Sequence, residues 1–208
     1  MYYLKLGLMI LFEPQQAFTL IKRHRKAIPV WVPVSLLLLC LVVRIASIYL
    51  THFPMSAQTP ENTNLAESVL GLIVPLFSFM GGIYLVTSIR DGETTFYETL
   101  LAVSYSLLPY ILLGLPLALF TRLMSANEMS LYQTVQFAIL LWCGILLFYS
   151  IMHMNSYTFA QTVFNCLLAV FAVLFIWAVL VLLFILSEKL IDFFAEVINE
   201  YRLLGKTY

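Results

Sequence analysis

The chain has 208 residues, 62% of them hydrophobic and 11% charged, with a formal net charge of zero. A soluble domain carries roughly 25% charged residues and could not hide this much apolar surface, so a water-soluble globule is excluded. Neutrality leaves no basic footprint for nucleic acid. Several apolar runs reach about 20 residues, the length a helix needs to cross the hydrocarbon of a bilayer. The expected fold is all-α: a polytopic membrane protein with a five-transmembrane-helix bundle, an N-terminal interfacial helix and a C-terminal amphipathic helix.

Residues 1–27 read as the interfacial segment. The apolar run at 4–12 is interrupted by Lys5 and stopped by Glu13-Pro14, which is too short to span. No small-residue cleavage site of a signal peptide follows it. Further on, Ala17, Phe18, Leu20 and Ile21 stand beside Lys22, Arg23, His24, Arg25 and Lys26. Apolar residues at helical spacing next to a basic cluster describe a helix lying among lipid headgroups; a loosely ordered basic tail is the alternative.

Residues 28–186 form the membrane domain, with spans at about 28–50, 68–89, 96–121, 131–152 and 159–186. In the first, Pro29 and Pro33 occupy opening turns, where the missing amide has no intrahelical partner anyway, and Trp31 suits the interface. Arg44 lies past the middle of this span. A central Arg costs roughly 2.5–3.5 kcal/mol on insertion scales, so it needs snorkelling or a partner. Glu67, at the start of the second span, is the acid at matching depth, and an Arg44–Glu67 contact, direct or through water, is expected.

The second span carries Pro75 and the pair Gly81-Gly82, small residues that let another helix approach closely. After the turn Arg90-Asp91-Gly92-Glu93 comes the stretch around which the chain is organised. Glu98 sits just inside its start, placed to accept hydrogen bonds from loop amides or to pair with Arg90. Ser104, Tyr105 and Ser106 put three hydroxyls on little more than one turn, and Pro109 and Pro116 flank Gly114. This pattern predicts a kinked helix at the centre of the bundle, its prolines breaking the backbone ladder and its hydroxyls bonding to neighbours.

The fourth span holds Trp142 and Gly144, and 153–158 is a short turn. From Phe159 to Leu204 there is neither Pro nor Gly. Residues 187–208 read as an amphipathic helix and tail, in which Leu190, Ile191, Phe194, Val197, Ile198 and Tyr201 share one face. Glu188, Asp192, Glu196 and Glu200 recur every fourth residue, and each like-charged pair costs roughly 0.2–0.5 kcal/mol on an exposed helix. These ten residues are the expected docking face for a partner offering an apolar groove and basic groups; folding back on the chain's own outer loops is the alternative. Lys5, Lys22, Arg23, Arg25 and Lys26 precede the first span, and the loop after it has no Lys or Arg. The N-terminus is therefore expected inside and the C-terminus outside, or in the lumen of an organelle.

Chemistry is sparse. His24, His52 and His153 are scattered, and no HExxH, GxSxG or P-loop pattern occurs. Met152-His153-Met154 reads as packing at a span end. Cys40, Cys143 and Cys166 read as buried apolar residues. No catalytic residue, metal site or cofactor is expected.

Phe12-Glu13-Pro14 followed by Ala17-Phe18, Phe96-Tyr97-Glu98 leading into Ser104-Tyr105-Ser106 and Pro109, and His153 after the fourth span resemble the Yip family, named for Ypt-interacting proteins. The five-span layout is similar too, above all to that of the short bacterial members. The eukaryotic branch has a longer polar leader and a Tyr-Gly-Pro element where this chain has Phe12-Glu13-Pro14. The resemblance implies a non-enzymatic protein of the cell (cytoplasmic) membrane, and bacterial relatives often accompany binding-protein-dependent (ABC) carbohydrate importers. The expected function is an accessory subunit docking on another membrane complex. Its expected partners are membrane lipid and other integral membrane proteins, among them ABC importer subunits or their substrate-binding protein. A membrane-organising or trafficking factor of eukaryotic type and a small transporter or channel are the alternatives.

Overall fold

The computed structural model describes residues 2–24, 28–51, 64–90 and 92–204, with backbone alone at 2–5, 126, 191–192 and 194–204. Two short N-terminal helices, α1 (Tyr2–Phe12) and α2 (Pro14–Arg23), precede α3 (Trp31–Leu50) and α4 (Leu65–Ile89). The central segment is divided into α5 (Phe96–Ser106) and α6 (Leu108–Phe120); α7 (Met129–Met154) and α8 (Phe159–Leu204) complete the chain. Among the described residues five segments are long and apolar enough to cross a membrane: Trp31–Leu50, Leu65–Ile89, Phe96–Leu123, Met129–Met154 and Phe159–Leu190. The protein is an all-α multi-pass membrane protein.

Local chemistry sets the helix boundaries. Pro14 opens α2 in a position where its missing amide has no helical partner. Asn64 caps α4 by accepting the Ala66 amide at 3.1 Å. At α5, Thr95 and Glu98 form a reciprocal capping box. The break at Leu107 combines two effects. Pro109 removes an amide, and Ser104 and Ser106 donate to the carbonyls of Leu100 and Ala102 at 2.6 and 2.7 Å, back-bonding that bends helices. These hydroxyls are satisfied within α5 itself, where interhelical bonds are expected from the sequence. Pro116, also expected to break the ladder, lies inside the continuous α6.

The central segment is the most enclosed span. Half of its most apolar window is buried, against 6% for α8. Leu101, Ala102 and Tyr105 of α5 join Leu146 and Met154 of α7 in the main core, together with residues from the N-terminal helices. Leu6 and Ile10 of α1 and Ala17, Phe18 and Ile21 of α2 are all buried in it. The apolar face of α2 thus meets protein, where the sequence suggests lipid headgroups. Helix α7 packs on α2 most extensively and α1 covers it further, and together they close that face.

Helix α8 runs 46 residues without interruption, about 69 Å at 1.5 Å per residue. Its first half packs on α4 and α7, and every residue from 177 to 190 is exposed. No turn before Leu204 returns the helix to the bundle.

Candidate functional site

The polar residues gather at the two ends of the bundle. At the end carrying the N-terminal helices, two connections converge on one ammonium group. Lys22 Nζ of α2 pairs with Glu93 Oε2 at 2.7 Å and donates to Ser156 Oγ at 2.6 Å. It therefore ties the α4–α5 loop and the α7–α8 turn to the N-terminal segment. Ser156 holds φ 56, a left-handed conformation set between two helices. Next to it, Asn155 is buried and accepts from the Thr94 hydroxyl at 2.8 Å while donating to the Ile151 carbonyl at 3.1 Å. Tyr157 donates to the Arg90 carbonyl at 3.2 Å. Gly92 fills the space between them: a Cβ there would stand 2.7 Å from Asn155 Oδ1, the Thr87 carbonyl and the Tyr157 hydroxyl. The close approach leaves room for hydrogen only.

Glu98 is buried and accepts the Thr95 amide at 2.9 Å, a loop-amide bond of the kind its position suggests. Arg90, the other partner considered for it, stacks over the Phe164 ring at 5.0 Å. Glu93 turns to Lys22. Arg90, Glu93 and Glu98, neighbours at this turn, thus contact Phe164, Lys22 and Thr95 respectively. Tyr105 is almost fully buried in the main core.

Toward the opposite end lies a cavity of about 450 Å³ between α3, α4, α6 and α7. Arg44, Glu67, Ser68, Tyr110 and Gln136 contribute its polar wall. Arg44 and Glu67 share this space, but among the described residues no ion pair within 4 Å joins them. Of the contact expected from sequence, direct or through water, the direct form is not made: Glu67 sits exposed at the first turn of α4, Arg44 projects from two turns inside α3, and both line one cavity. Arg44 and Ser47 border the Tyr110 hydroxyl.

The small residues divide. A Cβ on Gly82 would lie 2.6 Å from Val173 Cγ2 and 2.9 Å from the Ala169 carbonyl, so this glycine sets the α4–α8 crossing. At Gly114 the nearest atom would be Val43 Cγ1 at 3.0 Å, and Pro109 is buried beside it in the same helix. Gly81 has nothing within 4 Å and places no steric demand on a neighbour, contrary to the packing role expected of it. Of the expected docking face, Glu188 and Leu190 are exposed on α8. The side chains of Ile191, Asp192, Phe194, Glu196, Val197, Ile198, Glu200 and Tyr201 lie outside the described residues, as do Arg25, Lys26 and His52.

Lys22, Asn155 and Ser156 were not singled out as site residues from the sequence. Only the Asn-Ser pair in a short interhelical turn signals them, and their partners lie 61 and 134 positions away. Among the described residues no group of three or more His, Cys, Asp or Glu side chains could hold a metal ion. Comparison with known proteins gives one result: the family model for the Yip1 domain matches residues 8–182. No curated protein and no solved structure matches the chain.

Proposed function

We propose that this chain, which belongs to the Yip1 domain family, is a non-catalytic accessory protein that uses the outer part of α8 to dock on another integral membrane complex. The observation that carries this reading is the length and exposure of α8. Its apolar segment Phe159–Leu190 spans 32 residues, about 48 Å against roughly 30 Å of hydrocarbon. The bundle holds only the beginning of that segment, and residues 177–190 are all exposed among the described residues. Tilt absorbs part of the excess, yet the crossing at Gly82 limits how far α8 can lean away from α4. Beyond it the sequence turns to an acidic stripe of Glu188, Asp192, Glu196 and Glu200 beside an apolar face. An anionic membrane surface repels that stripe, whereas a protein groove bearing Lys or Arg satisfies both faces.

The experiment is partner recovery from membranes with a tagged chain, comparing wild type with the double variant Asp192→Lys/Glu196→Lys. Membrane insertion is monitored in parallel. Loss of a specific co-purifying membrane complex from an inserted variant is the expected result; unchanged recovery from that variant would rule docking out. Recovery of the permease or binding-protein subunits of an ABC importer would assign the partner to the class implied by the bacterial resemblance, at the cell membrane with the C-terminus outside.

A further inference from the structure

The polar cavity around Arg44 does not end at its polar wall. A second cavity, of about 350 Å³ and almost wholly apolar, lies between α3, α4 and α5. Cys40 and Leu72 line both, so the two share a wall. The apolar cavity continues from there toward the N-terminal end of the bundle, past Leu41 and Leu76 to Phe96 and Leu100. From Cys40 back to Val34 along α3 this is about 9 Å. Leu38, Phe77 and Phe96 on its walls are about half exposed, so the cavity opens toward lipid.

Arg44 stands six residues inside the end of α3, about 9 Å by helical rise. Among the described residues no carboxylate lies within ion-pair distance of it. A guanidinium at this depth favours an anion that reaches it from the membrane, and a phosphate accepts its planar fork of donors in two parallel bonds. Gln136 and Tyr110 add neutral polar groups, and Glu67 supplies a negative charge on the exposed side of the same cavity. Cation, carboxylate and adjoining apolar channel have the order of a phospholipid with an amine headgroup: acyl chain, phosphate, ammonium.

We propose that the paired cavities form a phospholipid site, with phosphate on Arg44, a headgroup ammonium toward Glu67, and the start of one acyl chain between α3 and α4. The site is distinct from α8 and stands whether or not the docking reading holds. A soluble polar solute would use the Arg44 cavity alone and leave the apolar cavity without purpose; the comparison below separates the two.

The test is native mass spectrometry of the full chain in mild detergent, titrated with phosphatidylethanolamine, phosphatidylglycerol, diacylglycerol or glycerophosphoethanolamine. Phosphatidylethanolamine should bind best and diacylglycerol, which lacks phosphate, least. Arg44→Gln should weaken phosphatidylethanolamine binding at least about tenfold, with Arg44→Lys intermediate. Glu67→Gln should narrow the preference for phosphatidylethanolamine over phosphatidylglycerol. Leu76→Trp, which fills the apolar cavity, should displace the lipid. Equal lipid occupancy in wild type, Arg44→Gln and Leu76→Trp would overturn the proposal. So would glycerophosphoethanolamine binding as tightly as the intact lipid, which marks a solute pocket. If Arg44→Gln does not fold, Arg44→Lys and Leu76→Trp make the same comparison.

Discussion

Lys22 shows how little of a membrane protein's polar architecture follows from hydropathy. In sequence it is one of five basic residues in a cluster that sets orientation, and nothing separates it from Arg23 or Lys26. In the fold its side chain is mostly covered and makes the contacts to Glu93 and Ser156 that hold two connections to α2. Such a pair, one partner half exposed, contributes at most about 1 kcal/mol, so Lys22→Met should lower thermal stability measurably but modestly. Asn155 is more deeply set. Replacing it with Leu leaves Thr94 without its acceptor and should cost about 1–3 kcal/mol, read as the shift in thermal unfolding of the purified protein. An Asn155→Leu protein as stable as wild type would show that the inner turn does not depend on this bond. Glu98 was legible because Thr95-x-x-Glu98 is a local signature. Asn155 was not, because its partner is set by tertiary packing.

At the scale of elements, the spans were legible as apolar runs of the right length, and the kink at the centre followed from Pro109. Hydropathy could not say which apolar face meets lipid and which meets protein, and the apolar face of α2 is a case in point. Phe18 and Ile21 have the spacing of an interfacial helix, and the packing of α7 and α1 on α2 covers them. Phe18→Ala should therefore behave as a core truncation, costing about 3–5 kcal/mol, where a headgroup-facing residue would cost far less. The adjacent glycines of α4 give a sharper contrast. Gly81→Ala adds a methyl in open space and should stabilise by up to about 1 kcal/mol through helix propensity. Gly82→Ala pushes against the Ala169 carbonyl and should destabilise by about 1–3 kcal/mol while loosening α8. Equal effects of the two, measured by thermal unfolding, would mean that α4 and α8 do not cross at Gly82.

For the whole molecule, the family, the five spans and the enclosed central segment agree with what the sequence suggests. The cavity beside Arg44 was only half legible: the residue announced a need for a partner, but the packing that keeps Glu67 out of ion-pair distance depends on four helices at once. Orientation rests on the basic N-terminal segment, and it makes a prediction for intact cells. An impermeant maleimide should label a cysteine placed at Glu128 and spare one placed at Ser156, and the reverse pattern would invert the topology. The central claim is that α8 leaves the bundle to meet another protein. Its most direct test is a photo-crosslinking scan along α8 in native membranes, one position at a time from 163 to 201. Discrete adducts to another protein recurring every three to four residues beyond about residue 187, with lipid or intrachain adducts alone nearer the bundle, are the predicted result. Lipid, water or intrachain adducts throughout, with no adduct to another protein at any position, would contradict it.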